Sequence, residues 1–411
     1  MMSGSPFRQR LRPSLRTVAA LVAGALLGTL AFAQAAASIG IGVSPFRPLG
    51  GNFFALQSGQ ARLLAKIGTA QSVEDGLPLI SFAKAALRVA PLSATSAWVL
   101  GVGYQARGDE GKARRAMRRG AMITRREPRV QLWLANDALK SGDTSLALEH
   151  FDIMLRTNLD VAPRVSPELA KVLTIEAGRK AMIPYARQDN PWFSDFMTGA
   201  ASLPDIAPMA EFLVERARKA PDGEAERYAY AIMLQRLASA QRYDLLLKVY
   251  PLLPGSNPGA LRTLDVRQSS DKANYPPIDW DFGNSNDRGG TPSALNNGGQ
   301  GIEFFAAPGT LGPAGVKLLA PGDDRNLHFR LGSRLVNPDA TANFVATCVS
   351  AHGDGASRTS KDLTRAPLHQ ELVFALPPDC QLMRLEFRLG GGNGTEPATV
   401  FVEGLRLAQL H

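Results

Sequence analysis

The sequence predicts a multidomain protein of the α plus β class: a tetratricopeptide-like α-helical solenoid followed by an antiparallel, jelly-roll-like β-sandwich. Two patterns support this prediction. A helical repeat with a period of 34 residues occupies an early part of the chain, and short stretches of alternating apolar and polar residues fill the last part. The 411 residues are enough for two or three domains. We expect a signal peptide or membrane anchor at 1–45, the helical domain at 52–265 and the sandwich at 266–411.

The N-terminal segment has the layout of an export signal. Four arginines precede an apolar run from Thr17 to Ala33, and no charged residue lies between Arg16 and Arg47. Small residues at Ala31 and Ala33 fit a cleavage site for signal peptidase. The run is also close to the roughly 20 residues that a retained membrane helix needs. Cleaved signal and uncleaved anchor both stay open, and both place the rest of the chain in the periplasm, because the arginines stay inside.

The 34-residue period is visible at matching positions. Gly108-Asp109 recurs as Gly142-Asp143, and Ala113 recurs as Ala147. This is the period of tetratricopeptide repeats, which bury a continuous apolar seam by stacking helical hairpins. Glycine supplies the backbone conformation of the turn, and aspartate caps the next helix. We expect repeats starting near residues 60, 94 and 128, more helices over 165–220 and a further hairpin over 227–253.

Several short elements between Pro91 and Arg156 recur in a known group of proteins. They are Pro91-Leu92, Leu100-Gly101, Gly108-Asp109, Arg125-Arg126-Glu127, Trp133-Leu134 and His150-Phe151-Asp152 with Leu155-Arg156. On these elements the chain resembles tetratricopeptide-repeat envelope proteins of alphaproteobacteria. The resemblance implies an N-terminal membrane segment, the repeats and a C-terminal β domain. Some members of the group are connected with exopolysaccharide production, which makes a role in the cell envelope the expectation for this chain.

The composition changes after about residue 265, where Gly, Asn, Asp and Pro become dense and the helical pattern stops. Apolar and polar residues then alternate, as in Leu327, Phe329 and Leu331. Short strands separated by turn-rich loops indicate a sandwich or barrel. The final run looks like the last strand of jelly-roll carbohydrate-binding modules. Seven strands are expected, near 301–306, 315–320, 326–331, 343–350, 370–375, 383–389 and 398–407.

Cys348 and Cys380 are the two cysteines of the chain, and both lie in the predicted sandwich. In an oxidising periplasm they can form a disulfide. Closing a loop of this length stabilises the fold by about 3–4 kcal/mol in the chain-entropy model. Two buried free thiols are the alternative, since free cysteine is among the most buried residue types. We predict the disulfide for two reasons: export would place the chain in an oxidising compartment, and both cysteines lie in the same domain.

The net charge of +9 is concentrated in a few places. Residues 107–129 hold nine basic and three acidic residues, a local charge of +6, and the N-terminal arginines add more. An acidic polysaccharide, lipid headgroups or an acidic protein would suit guanidinium groups, whereas a solvated outer face is the alternative. A local excess of positive charge does not indicate nucleic-acid binding. Six arginines are the candidates for binding an anionic partner: Arg114, Arg115, Arg118, Arg119, Arg125 and Arg126. The first four form one stripe of a helix, since successive residues are about 100° apart around its axis.

Two tryptophans are candidate binding residues. Trp98 occupies a repeat position that faces the inner groove of such solenoids, where a protein partner can bind; the alternative places its ring in the core. Trp280 follows Asp279 and precedes Asp281. An exposed Trp280 could stack on a sugar, or the carboxylates could help to bind calcium. The alternative is a buried Trp280 that pins a loop joining two domains.

No catalytic motif is visible in the sequence. A nucleophile elbow, a P-loop, a dinucleotide fingerprint and a Cys/His metal cluster are all absent. We therefore expect no enzyme, no metal and no cofactor, and no membrane contact beyond the N-terminal segment. The leading hypothesis is a non-catalytic periplasmic scaffold or binding protein in envelope or exopolysaccharide assembly or export. The alternative is a carbohydrate-active enzyme with its site in the sandwich, which would need two carboxylates facing one bond.

Export is the first testable prediction. A C-terminal alkaline phosphatase fusion should be active and a cytoplasmic reporter fusion silent, because the chain beyond the N-terminal segment is expected outside the cytoplasm. Mass spectrometry of the mature N-terminus separates cleavage near Ala33 from a retained anchor. The reverse pattern of reporter activity would rule out export.

Overall fold

The computed structural model of the protein describes residues 73–266, 274–283, 285–294, 300–350 and 353–409. These residues belong to two compact units. The first extends to Gly142 and includes Glu149–Thr157, and the second comprises Asp143–Leu148 and the chain from Asn158 onward.

Three sequence predictions concern boundaries. The export segment at 1–45 and the beginning of the repeat expected near residue 60 lie outside the described residues. The domain boundary at residue 265 stays a prediction; the last 3-10 turn before the sandwich ends at Arg262 and the first strand begins at Arg288.

Eleven α-helices lie within the described ranges, and two of them start where the repeat period predicts, at Ala94 and Pro128. In these ranges no helix combines the length and the apolar character that crossing a membrane requires. The helices are α1 Val73–Val89, α2 Ala94–Ala106, α3 Glu110–Ile123, α4 Pro128–Lys140, α5 Thr144–Thr157, α6 Ala162–Ala170, α7 Glu176–Met182, α8 Phe193–Ala201, α9 Ala207–Arg216, α10 Glu224–Ser239 and α11 Tyr243–Val249.

The turns of the two repeats have the predicted chemistry. Gly108 and Gly142 have φ angles of 75° and 78°, a region in which glycine carries no steric cost. The carboxylate of Asp109 then accepts from the backbone N–H of Lys112 at 3.1 Å, which caps α3. Asp143 caps α5 in the same way. The Gly-Asp pair is therefore a repeated turn-and-cap unit, as the sequence predicted.

The helices of the second unit pack around aromatic side chains. Trp192 lies edge-on to Phe196, with 6.0 Å between ring centroids, and Phe196 lies edge-on to Phe212 at 6.4 Å. All three rings are buried. Edge-to-face contacts of this kind add to the burial energy of the rings. The prolines predicted to interrupt the helical pattern lie between α-helices, at Pro184, Pro191 and Pro204.

Nine β-strands lie within the described ranges and form two antiparallel sheets. They are β1 Arg288–Ala294, β2 Gln300–Ala306, β3 Leu311–Leu319, β4 Asn326–Leu335, β5 Thr341–Ser350, β6 Gly353–Thr359, β7 Glu371–Ala375, β8 Met383–Gly390 and β9 Ala398–Ala408. One sheet has the order β1-β2-β9-β4-β7 and the other β3-β8-β5-β6. Strands β2–β9 follow the strand order of a jelly roll, and β1 extends one edge. The predicted fold class is confirmed.

Two strands, β1 and β6, were not predicted. Their sequences, RGGTPSA and GDGASRT, are rich in small and turn-forming residues and lack apolar alternation. Both are edge strands. Proline and glycine are tolerated at an edge, because the outer backbone groups there have no partner strand. The neighbouring strand, and not the intrinsic propensity of the segment, therefore holds each of them in the sheet.

The core of the sandwich lies between the two sheets. Phe304 of β2 stacks on Phe387 of β8 with 4.0 Å between ring centroids. Phe344 of β5 meets Phe387 edge-on at 5.0 Å, and Phe329 of β4 meets Phe344 at 4.8 Å. The alternation in β4 and β8 places their apolar residues in this core, as predicted.

The outer faces of the two sheets differ. Arg384 of β8 points outward from the four-stranded sheet, donates to Glu386 and Asp354, and lies close enough to Tyr243 of α11 to influence the pKa of its hydroxyl. Leu318 of β3, paired with Arg384 on the same side, is fully buried. By contrast, Arg330 and Arg406 on the outer side of the five-stranded sheet are exposed. Structure of the second unit thus covers part of the first face, although Arg388 on the same face is exposed, and side chains of the second face reach solvent.

Cys348 of β5 and Cys380, in the turn before β8, form a disulfide with 5.6 Å between their Cα atoms. The pairing predicted from the sequence is confirmed. The two residues are 32 positions apart. Structural disulfides persist in oxidising compartments, which agrees with the predicted export.

Cys380→Ser should destabilise the sandwich by about 3–4 kcal/mol, because the unfolded chain regains the entropy of an open loop. Urea unfolding followed by circular dichroism measures the change. The repeats of the first unit contain neither cysteine and should unfold as in the wild type. Alkylation of the native, unreduced protein should label neither residue; labelling of both would contradict the bond.

Candidate binding surfaces

Helix α3 presents a row of arginines to solvent. Arg115, Arg118 and Arg119 are exposed, and Arg125 and Arg126 follow them, also exposed, in the turn before α4. The opposite side of α3 is buried, as the helical period predicted. We call these five arginines the basic surface. Their exposure is compatible with a ligand and with a solvated face, so a binding role stays a prediction.

Arg114 does not belong to the basic surface, which corrects the predicted stripe. Its guanidinium makes a bidentate ion pair with Asp137 of α4, with Nε–Oδ2 and Nη2–Oδ1 distances of 2.6 and 2.7 Å. The hydrogen bonds lower the pKa of Asp137 and raise the pKa of Arg114. This cation joins two helices and is not available to a ligand.

Some carboxylates near the basic surface pair with other cations, whereas Glu110 and Glu149 are exposed and form no ion pair within the described ranges. Asp109 forms an ion pair with Lys112, and Glu127 forms one with Arg129 at 2.7 Å. Within the described part of the chain, none of the five arginines of the basic surface has an ion-pair partner. The charges of Asp109 and Asp137 act on Arg115 and Arg118 at longer range, since these two arginines help to lower the pKa of the two carboxyls.

A pocket of about 530 Å³ adjoins the basic surface. Arg125 lines it, together with Met122, whose side chain is 81% exposed. Glu149 and His150 also line it, and the Nδ1–H of His150 donates to Oε1 of the buried Gln131 at 2.8 Å. An amide oxygen only accepts, so this bond fixes the tautomer and leaves Nε2 as an acceptor.

The charge state of His150 follows from its surroundings. Burial lowers its pKa; the charge of Glu149 acts in the opposite direction, and the charge of Arg118 adds to the lowering. The ring is therefore neutral at pH 7. The sequence analysis singled out His150 only through the resemblance, and its contact with a buried glutamine of another helix has no signature in the sequence.

Trp98 is a packing residue. Its half-buried ring contacts a core cluster formed by Leu79, Ala83 and Val99 and a second cluster around Met117. The guanidinium carbon of Arg129 lies 4.7 Å from the ring centroid. The structure favours the core alternative over the groove alternative, because the half-buried ring packs against two core clusters and lies under the Arg129 guanidinium.

Trp280 is buried, which corrects its assignment as a sugar-binding residue. The side chain is 3% exposed, and its indole N–H donates to the carbonyl of Leu264 at 3.1 Å. Its ring stacks on Phe282 with 5.9 Å between centroids. The alternative of a loop pinned by a buried tryptophan is correct, because no face of the ring is open to a ligand.

The aspartates around Trp280 are also engaged. Asp279 is buried and accepts from the backbone N–H of Tyr275 at 2.9 Å. Asp281 accepts from Gln235 at 3.1 Å and from the backbone N–H of Gly283 at 3.0 Å. Over the described ranges, no group of three or more His, Cys, Asp or Glu side chains is placed to hold a metal ion. These carboxylates are structural acceptors.

The outer face of the five-stranded sheet carries side chains that the sequence analysis did not select. Strand register sets them in rows. We call the first two rows the sheet platform: Phe305, Thr399 and Leu335, then Glu303, Phe401 and Ser333. The ion-paired row follows: Glu403, Arg330 and Glu371. Each residue alternates with a core residue, so aromatic and charged side chains at the outward positions of β2 and β9 were the signal that could have found them.

The two phenylalanines of the sheet platform lie along the sheet. A side-chain carbon on Gly301 of β2 would come within 2.6 Å of Cζ of Phe401, and one on Gly332 of β4 within 2.6 Å of Cδ1. Since β2 and β4 flank β9, the Phe401 ring extends over both neighbours. Phe305 lies beside one glycine, Gly289 of β1, with 3.1 Å between Cε1 and the position of a side-chain carbon. Glycine is needed below Phe401, because a larger residue would displace its ring, and the contact at Phe305 is less tight.

The carboxylates of the ion-paired row are compensated. Glu403 accepts from Nε of Arg330 at 2.9 Å, and Glu371 accepts from Arg406 at 2.6 Å. Nδ1 of His328 lies 2.9 Å from the same Glu371 oxygen. Glu303, on the sheet platform, is exposed and has no ion-pair partner within the described ranges. The face therefore combines flat apolar rings, paired charges and one open carboxylate.

Comparisons with known proteins identify no family. No family model matches the chain, and no curated protein matches it. Among solved structures, one match is described as "Structural basis for the promiscuous specificity of the carbohydrate-binding modules from the beta-sandwich super family". The aligned part covers 30% of this chain and 54% of that chain, with 12% identity and a TM-score of 0.24. The match thus spans about half of that chain, and a likeness this distant supports neither a fold nor a ligand.

The resemblance to tetratricopeptide-repeat envelope proteins stays a prediction, because neither comparison of sequences tests it. The fold itself rests on the helices and strands described above.

Trp98→Ala should cost about 3 kcal/mol of unfolding free energy, the lower end of the range for a large aromatic residue, because the ring is half-buried. Chemical denaturation of the wild type and the variant measures this. Leu132→Ala is the matched control: it changes the same position of the next repeat, where the side chain is 40% exposed, and should cost under about 1 kcal/mol. Small and equal losses of unfolding free energy in the two variants would support the alternative in which Trp98 lines the groove.

Proposed function

We propose that this chain is an exported, non-catalytic binding protein of the cell envelope whose basic surface holds an acidic polysaccharide. The observation that carries the proposal is the state of the basic surface: its five arginines are exposed and form no ion pair within the described ranges, while Asp109, Glu127 and Asp137 pair with other cations. Structural arginines in this region are paired, as Arg114 shows. Unpaired ones are available for a ligand.

The spacing of the arginines suits a polymer. From Arg115 to Ile123 the helix rises about 1.5 Å per residue, so the arginines of α3 and the following turn are spread along one side of the repeats. Guanidinium groups bind carboxylates in pairs of hydrogen bonds. A polyuronate presents carboxylates at regular intervals and can contact several arginines at once. The adjoining pocket, with Arg125 and neutral His150, offers a place for one sugar unit.

The cellular role is part of the same proposal. The predicted export, the disulfide and the resemblance support a place in the periplasm, in assembly or export of envelope polysaccharide. The repeats would act as a scaffold for a protein partner in their groove. A carbohydrate-active enzyme is the second candidate; Glu403 and Glu371 are both ion-paired, which leaves the outer sheet face without the two opposed free carboxylates that this chemistry uses.

Replacing Arg115, Arg118 and Arg119 together by Gln should weaken binding of alginate about tenfold or more at low salt, because three of five cations are removed. Affinity of the wild type should fall steeply between about 50 and about 300 mM salt, since exposed charges are screened over about 8 Å at physiological ionic strength. Isothermal titration calorimetry at several salt concentrations measures both effects.

The matched control replaces Lys84, Arg88 and Lys140 by Gln. These residues are exposed in the same unit, outside the basic surface, so the change in net charge is equal. The control should bind alginate nearly as the wild type does, and both variants should keep the wild-type stability. Equal affinity of the first variant and the wild type at every salt concentration would refute the proposal.

A further inference from the structure

We propose that the sheet platform is a second binding site, which takes a neutral polysaccharide and stacks its sugar rings on Phe401 and Phe305. This inference goes beyond the proposed function, because it involves another unit and the opposite ligand chemistry. It rests on three observations: the orientation of the rings, the polar groups beside them and the charge balance of the face.

The orientation of the rings is the first observation. Phe401 lies across Gly301 and Gly332, with closest approaches of 2.6 Å to the position of a side-chain carbon on each. The ring therefore lies over the two glycines, and the half-buried side chain still has part of its surface in solvent. A pyranose ring has an apolar face of C–H groups, and an aromatic face flush with the protein surface is a suitable partner for it. Two such rings in adjacent rows offer contacts to successive sugar units.

The polar neighbours are the second observation. Glu303 is opposite Phe401 on β2, and Ser333 is opposite Phe401 on β4. A hydroxyl and an open carboxylate thus flank the ring at the cross-strand spacing of about 5 Å. The Arg330–Glu403 pair lies in the next row. Sugar hydroxyls donate to carboxylates and accept from guanidinium groups, so a ring stacked on Phe401 finds partners on both sides.

The charge balance selects the class of ligand. The platform and the ion-paired row hold three carboxylates, on Glu303, Glu371 and Glu403, and the guanidinium groups of Arg330 and Arg406 are already paired with two of them. The single uncompensated charge is negative and lies beside Phe401. The carboxylate would repel a polyanion there, whereas a neutral, hydroxyl-rich chain meets no charge repulsion. The basic surface has the opposite balance, so the two sites take different polymers.

A protein partner fits this face less well. The core of a protein interface is apolar and depleted of charged residues over a large area. Here the apolar group is small, Phe305, Phe401 and Leu335, and charged side chains border it in the adjacent positions. The occupant that matches a narrow aromatic strip between polar groups is a glycan chain.

The test uses native affinity electrophoresis of the full chain in gels containing hydroxyethyl cellulose, xyloglucan, galactomannan, dextran or alginate. The wild type should be retarded by at least one neutral polysaccharide. Phe401→Leu and Phe305→Leu keep an apolar cover over the glycines but remove the aromatic face. The double variant should weaken that retardation about tenfold or more while its melting temperature stays near that of the wild type.

Two further variants separate the possible outcomes. Leu311→Ala changes an apolar residue of β3 that is 66% exposed and should leave retardation unchanged. Glu303→Lys alters no buried contact and should weaken binding of the neutral glycan, which keeps the test valid if the double variant misfolds. The Gln variant of the basic surface should still bind the neutral glycan, and the double Leu variant should still bind alginate.

Three results would overturn the inference. The first is a wild type that no neutral polysaccharide retards, whatever its behaviour with alginate. The second is equal retardation of the wild type and both the double Leu and Glu303→Lys variants. The third is concentration-dependent self-association in sedimentation experiments that the double Leu variant abolishes without any glycan binding, which would make the platform a protein interface.

Discussion

The second unit depends on how residues 274–283 pack along the edge of β3. The carbonyl of Pro277 accepts from the backbone N–H of Leu318 at 2.7 Å, and Asp281 pairs with Val316 through two backbone hydrogen bonds. Trp280 of this segment is part of the core, and its indole N–H donates to the carbonyl of Leu264. This packing satisfies backbone groups that an edge strand would otherwise leave open.

One consequence of this packing is the inequality of the two sheet faces. The same segment reaches the helices, because Tyr275 donates to the carbonyl of Pro254 at 2.7 Å and Gln235 donates to Asp281. The four-stranded sheet is therefore packed on its inner face and on part of its outer face, where Arg388 stays exposed. On the five-stranded sheet, the half-buried rings of Phe305 and Phe401 and a row of paired charges lie on the outer face.

Much of the fold could be predicted from the sequence, because its determinants are local. Gly108 and Asp109 predict a turn and a helix cap, and the distance along the chain to Gly142 predicts the period of the repeat. The alternation of β4 and β8 gives the core of the sandwich. The strands β1 and β6 could not be predicted, since their place in a sheet depends on a neighbour and not on their own residues. The same limit applies to the candidate sites: Arg114 looked equivalent to Arg115 until its pairing with Asp137 was known, and Trp280 looked like a ligand platform until its burial was known.

The strand order has a consequence for how the sandwich is made. β9 is central in its sheet, hydrogen-bonded to β2 on one side and to β4 on the other, yet it is the last of the nine strands along the chain. The two halves of that sheet cannot join until residues 398–408 have emerged, however early the other strands appear. A sandwich of this strand order is therefore completed by β9, after the other eight strands have been made.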